Sequence, residues 1–146
     1  MPAKEVPPEI GQKEIEYGRL YQQAIKSNNC QEAEKMLLLV WGLYPEPKYL
    51  WSSSMSLIKG IFKFYLAQNN YLQAEFWARE LFKCELLEND PEPYIMLGKV
   101  YLESGREQLA AKELIKAYEM GGRRGYVGED PKYLKFALDQ MKKATK

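Results

Sequence analysis

Histidine is absent from these 146 residues. With it go the most frequent general base at neutral pH, the commonest metal ligand, and every Ser–His or Cys–His nucleophile pair. β-Branched residues are scarce: 4 Val, 7 Ile and 1 Thr stand against 18 Leu and 11 Ala. Sheets favour β-branched side chains and helices favour Leu, Ala, Glu and Lys, so the composition is that of an all-α protein. Only two cysteines occur, Cys30 and Cys84, with no Cys-x-x-Cys and no companion ligands, and each reads as a small hydrophobe on a helix. An excess of charge is lacking too. Lys plus Arg number 21 and Asp plus Glu 20, a net +1 that points to neither nucleic acid nor a membrane surface. The longest apolar run, Met36 to Tyr44, is about half of a membrane span. Met1 to Glu14 carries no apolar segment of a secretory signal, so the expected location is cytoplasmic.

What remains, 46% apolar and 28% charged residues, suffices for one globular domain over residues 1–146. Turn residues cut it into about seven helices. The first runs from Pro8 to Lys26 and stops at Ser27-Asn28-Asn29; the second, Gln31 to Tyr44, is ended by Pro45 and Pro47. A long third helix is expected from Pro47 to Gln68 and a fourth from Tyr71 to Leu87. Asn89-Asp90-Pro91 opens the fifth, which ends at Ser104-Gly105; the sixth spans Arg106 to Met120. Gly121-Gly122 closes it, and Asp130-Pro131 opens a seventh that reaches Lys143. Turns this short make antiparallel neighbours, hence helical hairpins over residues 8–44, 47–87 and 91–120, with a capping helix over 131–143.

The hairpins also repeat. Tyr65-Leu66 and Ala74 recur as Tyr101-Leu102 and Ala110, 36 residues on, around a turn in the same place, and Ala33 lies 41 residues before Ala74. Tyr94, Leu97, Gly98 and Tyr101, followed by Ala110, Leu114 and Ala117, resemble the tetratricopeptide pattern W-x-x-L-G-x-x-Y … A-x-x-x-F-x-x-A, with Tyr for Trp and Leu for Phe. The middle unit matches through Ile61, Tyr65, Ala74, Ala78 and Leu81 but has Phe62 in the slot of Gly98. The first matches through Tyr17, Leu20, Ala33, Leu37 and Val40, with Tyr21 in that slot. Large residues there are expected to splay the first two hairpins. The resemblance covers residues 14–120 and implies a solenoid of three hairpins. The seventh helix would be its solvating cap, through Tyr133, Leu134, Ala137, Leu138 and Met141.

Little argues for catalysis, and no cofactor or metal is expected. The carboxylate pairs Glu14/Glu16, Glu32/Glu34 and Glu129/Asp130 read as solvated charge. Gly121 to Gly128 follows a helix and lacks Gly-Lys-Ser/Thr, so it is an inter-helix loop rather than a phosphate loop. Residues 121–146 carry seven basic against three acidic side chains, with Tyr126 and Tyr133 near enough to stack on bases, which keeps an RNA-binding reading open. Trp41, Trp77, Tyr17, Tyr21, Tyr65, Tyr94 and Tyr101 fall at packing positions, whereas one of Tyr49, Trp51 and Phe64 is expected at the surface.

By the family's pattern, the first helices of successive hairpins line a concave groove. Arg19, Gln22 and Lys26 would contribute from the first, Lys59, Lys63 and Leu66 from the second, and Ile95, Lys99, Leu102 and Glu103 from the third. Basic groups outnumber acidic ones there, implying a protein partner with an acidic or carboxylate-bearing segment. Positions that clamp a chaperone's C-terminal carboxylate in such repeats are occupied by Gly18, Gln22, Gly60, Glu92 and Met96, which cannot do so. The stretch from Gly121 to Phe136 resembles small bacterial repeat proteins, some of which accompany polymorphic toxins as immunity proteins. An adaptor or secretion chaperone binding an extended acidic segment is the alternative the same residues permit.

Overall fold

A computed structural model describes residues 4–145. Among these are seven α-helices and no β-strand beyond a single parallel bridge between Lys4 and Trp51. The helices are α1 (Pro8–Lys26), α2 (Cys30–Leu43), α3 (Ser54–Ala67), α4 (Tyr71–Glu80), α5 (Glu92–Glu103), α6 (Glu107–Gly121) and α7 (Pro131–Ala144). They pack chiefly as sequence neighbours, α1 on α2, α3 on α4 and α5 on α6, with α4 also meeting α5 and α7 lying on α6. Among the described residues no helix is long and apolar enough to cross a membrane.

Three of the turns are built alike. Asn28, Asn69 and Gly105 each take the left-handed conformation, with φ of 56°, 59° and 82°. In each turn the next residue's N–H reaches back five residues: Asn29 to the Ala24 carbonyl (2.8 Å), Asn70 to Tyr65 (2.9 Å) and Arg106 to Tyr101 (2.8 Å). This 6→1 bond satisfies carbonyls that the helix end leaves without partners. Asn29 and Asn70 then cap α2 and α4 through their side chains, accepting from the N–H groups of Glu32 and Gln73. On that common register Ala33, Ala74 and Ala110 coincide, and all three are fully buried.

Tyrosines tie one hairpin to the next. The Tyr65 hydroxyl donates to Glu34 on α2 (2.6 Å), and the Tyr133 hydroxyl donates to Glu103 on α5 (2.6 Å). Arg79 of α4 donates to the Tyr101 hydroxyl while paired with Glu75 at 3.0 Å, and Arg106 takes the other oxygen of Glu75 at 2.8 Å. Burial, with the carboxylates nearby, pushes the Tyr65 and Tyr133 hydroxyl pKa values up, so both stay protonated donors. These bonds correct part of the carboxylate reading: Glu34 and Glu14 are not free solvated charges, since Tyr65 donates to Glu34 and Tyr44 donates to Glu14 while accepting from the Ser53 hydroxyl at 2.7 Å.

Two helix boundaries differ from expectation. The third helix begins at Ser54, because residues 44–53 make other bonds. The Lys48 ammonium caps the end of α2 by donating to the Trp41 and Tyr44 carbonyls (2.9 and 2.7 Å), and the Trp51 indole donates to the Pro45 carbonyl (2.7 Å). Lys4 pairs with the backbone of Leu50 and Ser52. The fourth helix stops at Glu80, tightening to a 3₁₀ turn over Leu81–Lys83. Glu85 and Glu88 would place negative charge on the negative end of a longer helix.

The surface expectations also need correction. Phe64 is buried, and Tyr49 and Trp51 are half-buried, so none of the three is an exposed aromatic. Cys84 is buried just beyond the 3₁₀ turn, where burial raises its thiol to about 11, out of reach of ordinary reactivity; Cys30 is exposed at the start of α2.

Candidate functional site

The ten residues expected to line one groove separate into two groups. Arg19, Gln22 and Lys26 on α1 and Lys63 on α3 are exposed, and Lys59 and Leu66 on α3 are half-buried. None of these four cations pairs with a carboxylate among the described residues. On α5 the outcome is different. Ile95 is fully buried in a cluster with Leu114, Ala117, Tyr126, Tyr133 and Ala137, so it lines no open wall. Lys99 is only 14% exposed, lies 2.6 Å from Glu129 and faces the Tyr133 ring. Glu103 receives both the Tyr133 hydroxyl and the Lys132 ammonium, at 2.6 Å each. Leu102 is half-buried against both core clusters.

The closing agent is the segment after α6. Gly121 and Gly125 bring it close against Pro91: a Cβ at either would lie 3.0 or 2.9 Å from the Pro91 Cγ. Tyr126 is thereby driven inward, where its hydroxyl donates to the Leu114 carbonyl at the core. Asp130 accepts from the Lys132 N–H and starts α7, which sets Tyr133 and Lys132 over Glu103. The loop is therefore structural. Tyr126 and Tyr133, each 5% exposed, offer no face on which a base could stack.

The first hairpin and α3 also carry a feature that packing positions alone did not predict. A cleft of about 260 Å³ separates α1 and α2 from α3, walled by Tyr17, Gly18, Tyr21, Leu37 and Leu57, with Glu14 and Tyr44 at one end. Tyr17 and Tyr21 were expected in the core, but both stay half-buried. Tyr21 stands where Gly98 stands in the third hairpin, and its ring forms part of the cleft wall. Tyr21 also meets Phe64 edge-on, at 6.3 Å between centroids. Chemically the cleft can hold an apolar side chain. No group of His, Cys, Asp and Glu among the described residues could hold a metal ion.

Set against family models, curated proteins and solved structures, the chain finds no match. What is established is an all-helical protein of seven α-helices among its described residues.

Proposed function

We propose that this protein is a non-catalytic protein-binding module of the helical-hairpin repeat type, resembling tetratricopeptide arrays. It grips one protein partner on the face formed by α1 and α3. The observation carrying this reading is the contrast in charge pairing. Lys99 on α5 is neutralised inside the molecule, whereas Arg19, Lys26, Lys59 and Lys63 have no carboxylate partner among the described residues. The same two helices, α1 and α3, also wall the Tyr17–Tyr21–Leu57 cleft. An apolar anchor with a ring of complementary charge is the arrangement in which a few contacts dominate affinity. The common turn geometry and the buried alanines at one register support the repeat reading. On this reading the partner offers an acidic segment with one large apolar side chain, and a toxin neutralised by masking its surface is the partner class that the Gly121–Phe136 resemblance favours.

Affinity capture from the producing cells, followed by titration calorimetry with the purified partner, tests the proposal. Wild type should retain the partner, and R19E/K63E should bind it at least tenfold more weakly with an unchanged helical spectrum. For the toxin reading, the partner alone should arrest growth and co-expression of this chain should relieve the arrest. Equal binding by wild type and R19E/K63E refutes the α1–α3 face.

A further inference from the structure

The seventh helix was expected to be a solvating cap, and part of its apolar stripe is left only partly covered. Tyr118 of α6 with Leu134, Leu138 and Met141 of α7 floor an open groove of about 650 Å³ between the two helices. All four side chains are only half-buried. The apolar positions of α7 are thus divided: Tyr133 and Ala137 face the core with Phe136 beside them, Leu134 packs against the core on one side and borders the groove on the other, and Leu138 and Met141 line the groove. α3 and α5 each have a following helix packed along them, α4 and α6, and the groove is the corresponding place beside α7.

Charge says what would cover it. Arg123 and Lys142 both border the groove and neither forms an ion pair with a carboxylate among the described residues, although Lys142 lies near enough to Asp139 to help hold its carboxyl down. The groove's one acidic residue, Asp139, is already paired with Lys135 at 3.0 Å. A second copy of this chain would bring the same cations face to face, which is unfavourable. We propose that the α6–α7 groove receives an amphipathic helix of a partner protein, its apolar stripe seated on Leu134, Leu138 and Met141 and its flanking carboxylates meeting Arg123 and Lys142. Fourteen residues of α7 span roughly 21 Å, so about four turns of partner helix fit. A helix laid antiparallel to α7 also places opposite dipole ends together. The proposal uses different residues from the α1–α3 face, so the two stand or fall separately.

The test uses two synthetic 18-residue helical peptides with the same leucine stripe, one flanked by Glu and the other by Lys, titrated against the full chain by fluorescence anisotropy. The Glu peptide should bind, the Lys peptide at least tenfold more weakly, and Leu138→Glu should abolish binding. Because Leu138→Glu removes a half-buried side chain, R123E/K142E provides a second variant on exposed positions. It should weaken the Glu peptide at least tenfold and strengthen the Lys peptide, with an unchanged helical spectrum. Binding of neither peptide, or equal binding of both, overturns the proposal. So does a sedimentation experiment in which the chain is a dimer that Leu138→Glu makes monomeric.

Discussion

α1 and α5 occupy the same place in the first and third hairpins, yet their packing differs sharply. Seven of the twelve residues of α5 are buried, against one, Ala24, of the nineteen in α1. Two causes combine. α5 lies between α4 and α6 and is covered further by the segment leading to α7, whereas α1 rests mainly on α2. The slot three residues before the turn tyrosine is also Gly98 in α5, and a Cβ there would overlap the Cγ and Cδ2 of Leu114. Helices without a side chain between them approach closely, whereas the Tyr21 ring forms part of the cleft wall. The charged groups of α5, Lys99 and Glu103, are satisfied by the segment that covers them. The loosely packed end keeps a cleft and unpaired cations, which are what recognition of another molecule requires.

The middle hairpin suggests how to break this contrast. It carries Phe62 in the glycine slot, and the position matching Leu114 is Ala78; both are buried. Bulk has moved from one helix to the other. Gly98→Phe alone should therefore cost at least about 3 kcal/mol by overpacking, and Leu114→Ala alone about 2–5 kcal/mol by leaving a cavity. Combined, they should cost less than their sum by ~2 kcal/mol, as read from urea unfolding, because the ring fills the space the leucine vacates. Simple additivity would show that the two positions do not share one slot, and the comparison of hairpins would lose its basis.

That exchange also marks where sequence reading succeeds and where it stops. Helix-forming composition, paired turn residues and the recurrent Ala33, Ala74 and Ala110 made the seven helices legible, because each depends on local chemistry. The long third helix was misread because what delays its start is a set of specific side-chain and backbone bonds. Lys4 bonding to Leu50 and Ser52, and Lys48 capping α2, are contacts that no periodicity reports. Ile95, Lys99 and Glu103 share a helical face and looked equivalent to Lys59 and Lys63. Only the path of residues 121–133 across that face distinguishes them. The Tyr17–Tyr21 cleft was half-legible: the bulky residue in the glycine slot was visible, but the opening it leaves depends on where α3 lies.

The lysines on α3 and α5 allow a sharper version of the same contrast. Lys63 is exposed and unpaired among the described residues, so Lys63→Glu should change stability by no more than about 0.5 kcal/mol. Lys99→Glu sets a carboxylate against Glu129, where both side chains are about 15% exposed, and should cost about 2 kcal/mol. Partial exposure keeps that figure below the cost for a fully buried pair. Thermal and denaturant unfolding of the two variants decide the matter. Equal, small effects would mean that the α5 lysine is as free as its α3 counterpart and that the groove runs through all three hairpins.

The smallest expected effect concerns pH at the same closed end. Hydrogen bonds from Lys132 first, and then from the Tyr133 hydroxyl, hold the Glu103 carboxyl below its ordinary range. A folded-state pKa below the unfolded one stabilises fully above the unfolded value. That contribution is lost as pH falls through the folded value. Wild type should therefore exceed Glu103→Gln by roughly 0.5 kcal/mol at pH 6 to 7, modest because Lys132 stays half exposed. The gap should narrow from about pH 4 downward, as the carboxyl takes up a proton. Unfolding curves for the two proteins at pH 7, 5 and 3.5 measure it. A gap that stays constant at pH 3.5 would mean that Glu103 holds α7 by shape and neutral hydrogen bonding, so that the closure of the α5 face does not depend on charge. A gap that closes would mean that the charge of Glu103, paired with Lys132, helps hold α7 over the α5 face.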